Sequence, residues 1–119
     1  MPYVAFGLTA LVMVIHIYIV LLETVLFRSR GVKAFGIAPD RVEEMAPLMS
    51  NQGCYNLFLV VALLLGLTLP EEEIAQAFMF YGLGCVIVAG IWGGITVARK
   101  IFFIQTVPAA LAFVAALLA

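Results

Sequence analysis

Asn51, Gln52, Tyr55 and Asn56 bring three amides and a phenol together at the head of a long apolar run. An amide or hydroxyl sunk in hydrocarbon without a partner costs roughly 2–7 kcal/mol. Such groups therefore face protein or water, and polar residues within a membrane mark sites. Asn51 with Tyr55 and Gln52 with Asn56 form two i, i+4 pairs that together cover an arc of about 140°. That arc exceeds one helix seam, so some of the set is expected to face a neighbouring subunit. Upstream, Thr9, His16 and Glu23 recur every seven residues and share one helix face. Glu23, His16 and Tyr55 are the candidate catalytic groups, able to exchange protons. Asn51, Gln52, Asn56, Gln105 and Thr96 are the candidate ligand-binding groups, orienting a guest through hydrogen bonds.

Each residue also has a structural reading. Glu23 either pairs with Arg28 at the membrane surface or is a buried carboxyl serving as base or proton carrier. His16 is either a hydrogen-bonded core histidine or a ligand. A metal would need further donors and only Glu23 is on offer, so no metal site is expected. The amides either tie helices together, at on the order of 0.6 kcal/mol each, or bind a guest. The chain holds no nucleophile elbow, phosphate loop or zinc motif, and its residues name no cofactor.

These residues need elements to hold them. Apolar residues make up 66% of the 119-residue chain and charged residues 11%, a balance of membrane proteins rather than soluble domains. Six Lys and Arg without a long run exclude the basic patch that nucleic acid requires. One integral membrane domain is expected over residues 1–119, with spans at about 3–27, 48–69, 74–98 and 101–118. The first run has no preceding Lys or Arg and outlasts a signal-peptide core of roughly 7–15 residues, so it reads as a span. Asp40 and Glu43 read as a capping box for a helix starting near Arg41, and Pro47 as a kink. Pro70 and Glu71 to Glu73 suit the positive end of the next helix. Gly90 and Gly94 form a GxxxG pair suited to close helix packing. Pro108 frees a carbonyl one turn earlier in the fourth span. Cys54 and Cys85 sit at different depths and read as small buried hydrophobes rather than a disulfide.

Short connections make this an all-α, up-down-up-down four-helix transmembrane bundle. All six Lys and Arg fall in the first and third connections, and three glutamates in the second. The positive-inside rule then puts loop 28–47 in the cytoplasm and both termini on the other side; for a bacterial protein the membrane would be the inner one. By depth alone, Glu23, the 51–56 cluster, Thr96 and Gln105 converge on one polar pocket in the cytoplasmic half.

Four stretches carry a family resemblance: His16 to Glu23, Asn51 to Asn56, Val88 to Gly94, and Gln105 to Ala109. Together they resemble a family of small bacterial integral membrane proteins, Domain of Unknown Function 1304, which implies four membrane helices and no known activity. The chain is more loosely similar to the membrane-associated proteins of eicosanoid and glutathione metabolism. That likeness implies a homo-oligomer, a trimer by analogy, with sites between subunits. The helix-2 motif of that family, Arg-x-x-Asn-x-x-Glu, meets Leu48 and Cys54 at its charged positions here, which removes the basis for glutathione binding.

The expectation is a membrane-lipid-embedded homo-oligomer whose pocket binds, and in one version transforms, a small lipophilic molecule. One alternative is a small proton-coupled multidrug-type transporter using Glu23; another is a non-catalytic accessory subunit.

Overall fold

The structure, a computed structural model, describes residues 3–119. Helix α1 spans Tyr3–Glu23, short α2 Val32–Phe35, α3 Val42–Thr68, α4 Glu72–Thr96, short α5 Arg99–Ile101 and α6 Val107–Leu117. A π-helical stretch, Phe27–Gly31, precedes α2, and a second, Phe102–Thr106, joins α5 to α6. Four helical stretches are long and apolar enough to cross a membrane: Tyr3–Glu23, Pro39–Thr68, Glu72–Thr96 and Arg99–Leu117. No strand occurs among the described residues. The all-α four-helix class expected from the sequence is what the chain adopts.

Helix α1 packs on α3 and α6, and α4 packs on α3 and on the Phe102–Leu117 arm, closing a ring in chain order. The core is Val12, Leu63, Met79, Leu83, Val86, Ala109 and Ala112. Phe80 and Phe113 meet edge to face beside it, their ring centres 5.1 Å apart. Large apolar side chains such as Val14, Phe58, Ile91 and Leu111 point outward. That exposure suits lipid, where burying apolar surface between helices brings no hydrophobic gain.

Several boundaries differ from expectation for physical reasons. The α-helical bonding of α1 stops at Glu23 rather than Phe27. Leu26 N–H reaches back five residues to Leu21 O at 2.8 Å, and the wide i+5 pattern continues into Phe27–Gly31. The capping box does not form: neither the 3₁₀ turn Pro39–Arg41 nor α3 has a side-chain cap. The Glu43 carboxylate instead accepts two 3.0 Å bonds from Arg28 Nε and Nη2, a bidentate pair that uses its capping oxygens. That carboxylate holds the Arg28 guanidinium above its ordinary pKa. Helix α3 runs through Pro47, which is exposed in the second turn. The carbonyl that Pro47 leaves unpaired, on Glu43, lies at the helix's polar end, where the interruption is tolerated.

The π stretch Phe102–Thr106 ends two residues before Pro108. Proline offers no N–H, and its ring crowds the carbonyl four residues back. In the widened turn just before it, Val107 N–H bonds Phe102 O, five residues back. Lys100 Nζ donates to Ala34 O at 3.0 Å, so the first and third connections lie at the same end of the bundle. At the opposite end, Tyr3, Phe6, Leu69, Pro70, Glu72 and Gln76 border an open groove of about 450 Å³.

Candidate functional site: a buried carboxyl–amide pair

The seven-residue stripe of α1 does face the bundle interior. Thr9 and His16 are fully buried and Glu23 is 5% exposed. Asn56 of α3 is the side chain that meets Glu23: its Nδ2 donates to Glu23 Oε1 at 2.7 Å. Gly53, one turn before Asn56, makes this contact possible. A Cβ there would stand 2.6 Å from Thr24 Cγ2 and 3.3 Å from Glu23 Cβ, so α3 approaches α1 at van der Waals range. Thr24 keeps its own hydroxyl out of the site by donating to Val20 O at 2.7 Å. Glu23 does not pair with Arg28, which is committed to Glu43 in an exposed ion pair.

A third polar group lies buried on the neighbouring arm. Thr106 Oγ1 donates to Ile87 O at 2.9 Å. Its approach depends on Gly90, where a Cβ would overlap Thr106 Oγ1 and lie 2.7 Å from Thr106 N. Gly94 does the same a turn further along, where a Cβ would stand 2.8 Å from Phe102 Cβ. The GxxxG pair therefore joins α4 to the π stretch within one chain. Two facing pairs fix the register between α3 and α4: Gly66 on Met79, and Gly82 on Leu63. Continued along the helices, that antiparallel register brings Asn56 level with Ala89 and Gly90. Glu23, Asn56, Gly90 and Thr106 thus occupy one layer of the bundle, one from each long helical arm.

The other candidates lie elsewhere. Asn51, Gln52 and Tyr55 are exposed, and Tyr55 lays its ring edge to face with Phe58 at 5.8 Å. Asn51 and Tyr55 project on the side of α3 opposite the buried Gly53, Asn56 and Val60, so rotation of the helix separates them from Glu23. Thr96 is exposed and turns its hydroxyl back to Trp92 O at 2.7 Å. Gln105 is half-buried beside Thr106. The single pocket expected from depth therefore reduces to the Glu23–Asn56 contact with Thr106 in the same layer. Sequence reasoning passed over Thr106 in favour of Gln105; the facing glycine at position 90 was the signal that could have found it. Both cysteines are free thiols. Among the described residues no three His, Cys, Asp or Glu side chains converge to hold a metal.

Four helices long and apolar enough to cross a membrane, closed into a ring, define a multi-pass integral membrane protein that buries a carboxyl–amide pair between two of them. A family model described as a protein of unknown function, DUF1304, matches residues 10–117. The chain belongs to that family. No curated protein matches it, and no solved structure does.

Proposed function

We propose that the chain binds a small lipophilic molecule within the membrane, with Glu23 and Asn56 as the polar end of the site, and that Glu23 is the group through which any transformation of that molecule runs. The observation that carries this reading is the 2.7 Å Asn56–Glu23 hydrogen bond, sunk among apolar helices. Glu23 Oε2 and Asn56 Oδ1 take no hydrogen bond from other described side chains, which leaves acceptors for a guest's hydroxyl or amine. In the same proposal the chain works as a homo-oligomer in a bacterial inner membrane, with its basic end in the cytoplasm. The outward Asn51, Gln52 and Tyr55 then meet a neighbouring subunit, because unpaired amides facing lipid are costly.

Native mass spectrometry of protein released from mild detergent tests the reading. Wild type is expected to carry a retained small molecule, and Glu23→Gln to lose it with the subunit count unchanged. The glutamine keeps an oxygen for Asn56 Nδ2, so assembly survives while the carboxyl is gone. Retention of the same molecule by the variant would remove Glu23 from the site. A second reading, proton-coupled transport, draws on Glu23 being a buried acid within a span. It predicts that the same variant ends pH-driven uptake into vesicles.

A further inference from the structure

Four cations at the basic end have no carboxylate partner among the described residues: Arg30, Lys33, Arg99 and Lys100. All four are exposed. The acids at that end are engaged elsewhere. Glu43 holds Arg28, Glu44 holds Arg41, and Glu23 is buried against Asn56. Asp40 sits beside Arg41 in the 3₁₀ turn. Lys100 Nζ is held 3.0 Å from Ala34 O, which draws the first and third connections together. Lys33 is the residue before Ala34 and Arg99 the residue before Lys100, while Arg30 lies about a turn upstream of Ala34. That one contact gathers the four charges from two separate connections. Charges of one sign brought together repel, and an anion set among them removes that cost.

Depth selects the kind of anion. The fourth apolar stretch begins at Arg99, so these cations stand where a span leaves hydrocarbon for the headgroup layer. Large apolar side chains flank them in the chain: Ile95 and Val97 before Arg99, Phe103 and Ile104 after Lys100, all exposed. A free phosphate would use the charges and leave that apolar surface idle. An anionic phospholipid uses both, its phosphate among the cations and its acyl chains against the apolar side chains. We propose that the junction of the first and third connections binds the headgroup of an anionic phospholipid, which ties the two connections together. This site lies on the outer surface of the bundle and does not depend on the role proposed for Glu23.

Native mass spectrometry with added lipid tests the site. The probes are phosphatidylglycerol and phosphatidylcholine with the same acyl chains, each titrated into delipidated protein in mild detergent. Wild type is expected to prefer phosphatidylglycerol. Lys33→Gln with Arg99→Gln removes two charges, each worth about fivefold at an anionic surface, so affinity for that lipid is expected to fall about 25-fold. Neither side chain has a protein partner among the described residues, so this variant is expected to fold as wild type does. Arg41→Gln removes a charge from the same end, but from the Glu44 pair, and is expected to keep the preference. Glu23→Gln is expected to keep it too, which separates this site from the buried pair. Equal affinity of wild type for the two lipids would overturn the proposal, and so would a loss in Arg41→Gln as large as that in Lys33→Gln alone. Displacement of phosphatidylglycerol by an equal concentration of glycerol phosphate would show a site for phosphate without its chains, and would overturn the lipid.

Discussion

Gly90→Ala is expected to destabilise the bundle by on the order of 2–3 kcal/mol, while Gly84→Ala is expected to leave it unchanged or stabilise it by up to about 1 kcal/mol. The two positions lie on one helix and receive one methyl group each, so helix propensity favours alanine equally at both. Their surroundings differ. At Gly84 a Cβ meets nothing within 4 Å. At Gly90 it overlaps Thr106 Oγ1, stands 2.7 Å from Thr106 N and 3.0 Å from Gln105 Cβ. The backbone nitrogen cannot rotate away, so the π stretch must retreat from α4, and the Thr106 bond to Ile87 O breaks with it. Reversible unfolding in mixed micelles measures both variants. Equal stability for the two would mean that α4 and the π stretch are not packed as described.

Much of this architecture was legible in the sequence because the membrane simplifies the reading. Four apolar runs and their short joints required four antiparallel helices, and Pro70 with Glu71 to Glu73 marked where α4 begins. What stayed hidden were choices among competing partners. Asp40 and Glu43 had the spacing of a capping box, yet a guanidinium fifteen residues back in the chain claimed Glu43. Local spacing cannot weigh an offer from a distant residue. The π stretches were equally silent: Pro108 showed that a carbonyl would be freed but not that the turn before it would widen.

The site was legible where periodicity could be counted and illegible where rotation decided. A spacing of seven kept Thr9, His16 and Glu23 on one face, and all three are buried. The cluster at 51–56 covers too wide an arc for depth to say which members turn inward. Gly53 answers that question, since the helix approaches its neighbour where the side chain is missing, and Asn56 follows a turn later on the same face. Asn51 and Tyr55 are carried to the outside by the same rotation.

Asn56→Leu is expected to cost about 2–3 kcal/mol, the scale for removing a hydrogen bond to a carboxylate and leaving that group buried without a partner. Adding Glu23→Leu to the same protein is expected to restore most of the loss, because well-packed apolar residues replace a buried polar pair at little cost. The coupling from the double-mutant cycle, about 1–3 kcal/mol, isolates the pair from the packing of each side chain. Additive losses would show that Glu23 and Asn56 do not act together. The double variant also separates stability from function. Leucine at both positions can rebuild the helix contact, but it offers a guest no acceptor. A stable double variant that retains no small molecule in native mass spectrometry would assign the pair to binding; one that retains it unchanged would leave the pair as a tie between α1 and α3. A polar pair whose removal barely changes folding yet empties the bundle is kept for what it binds.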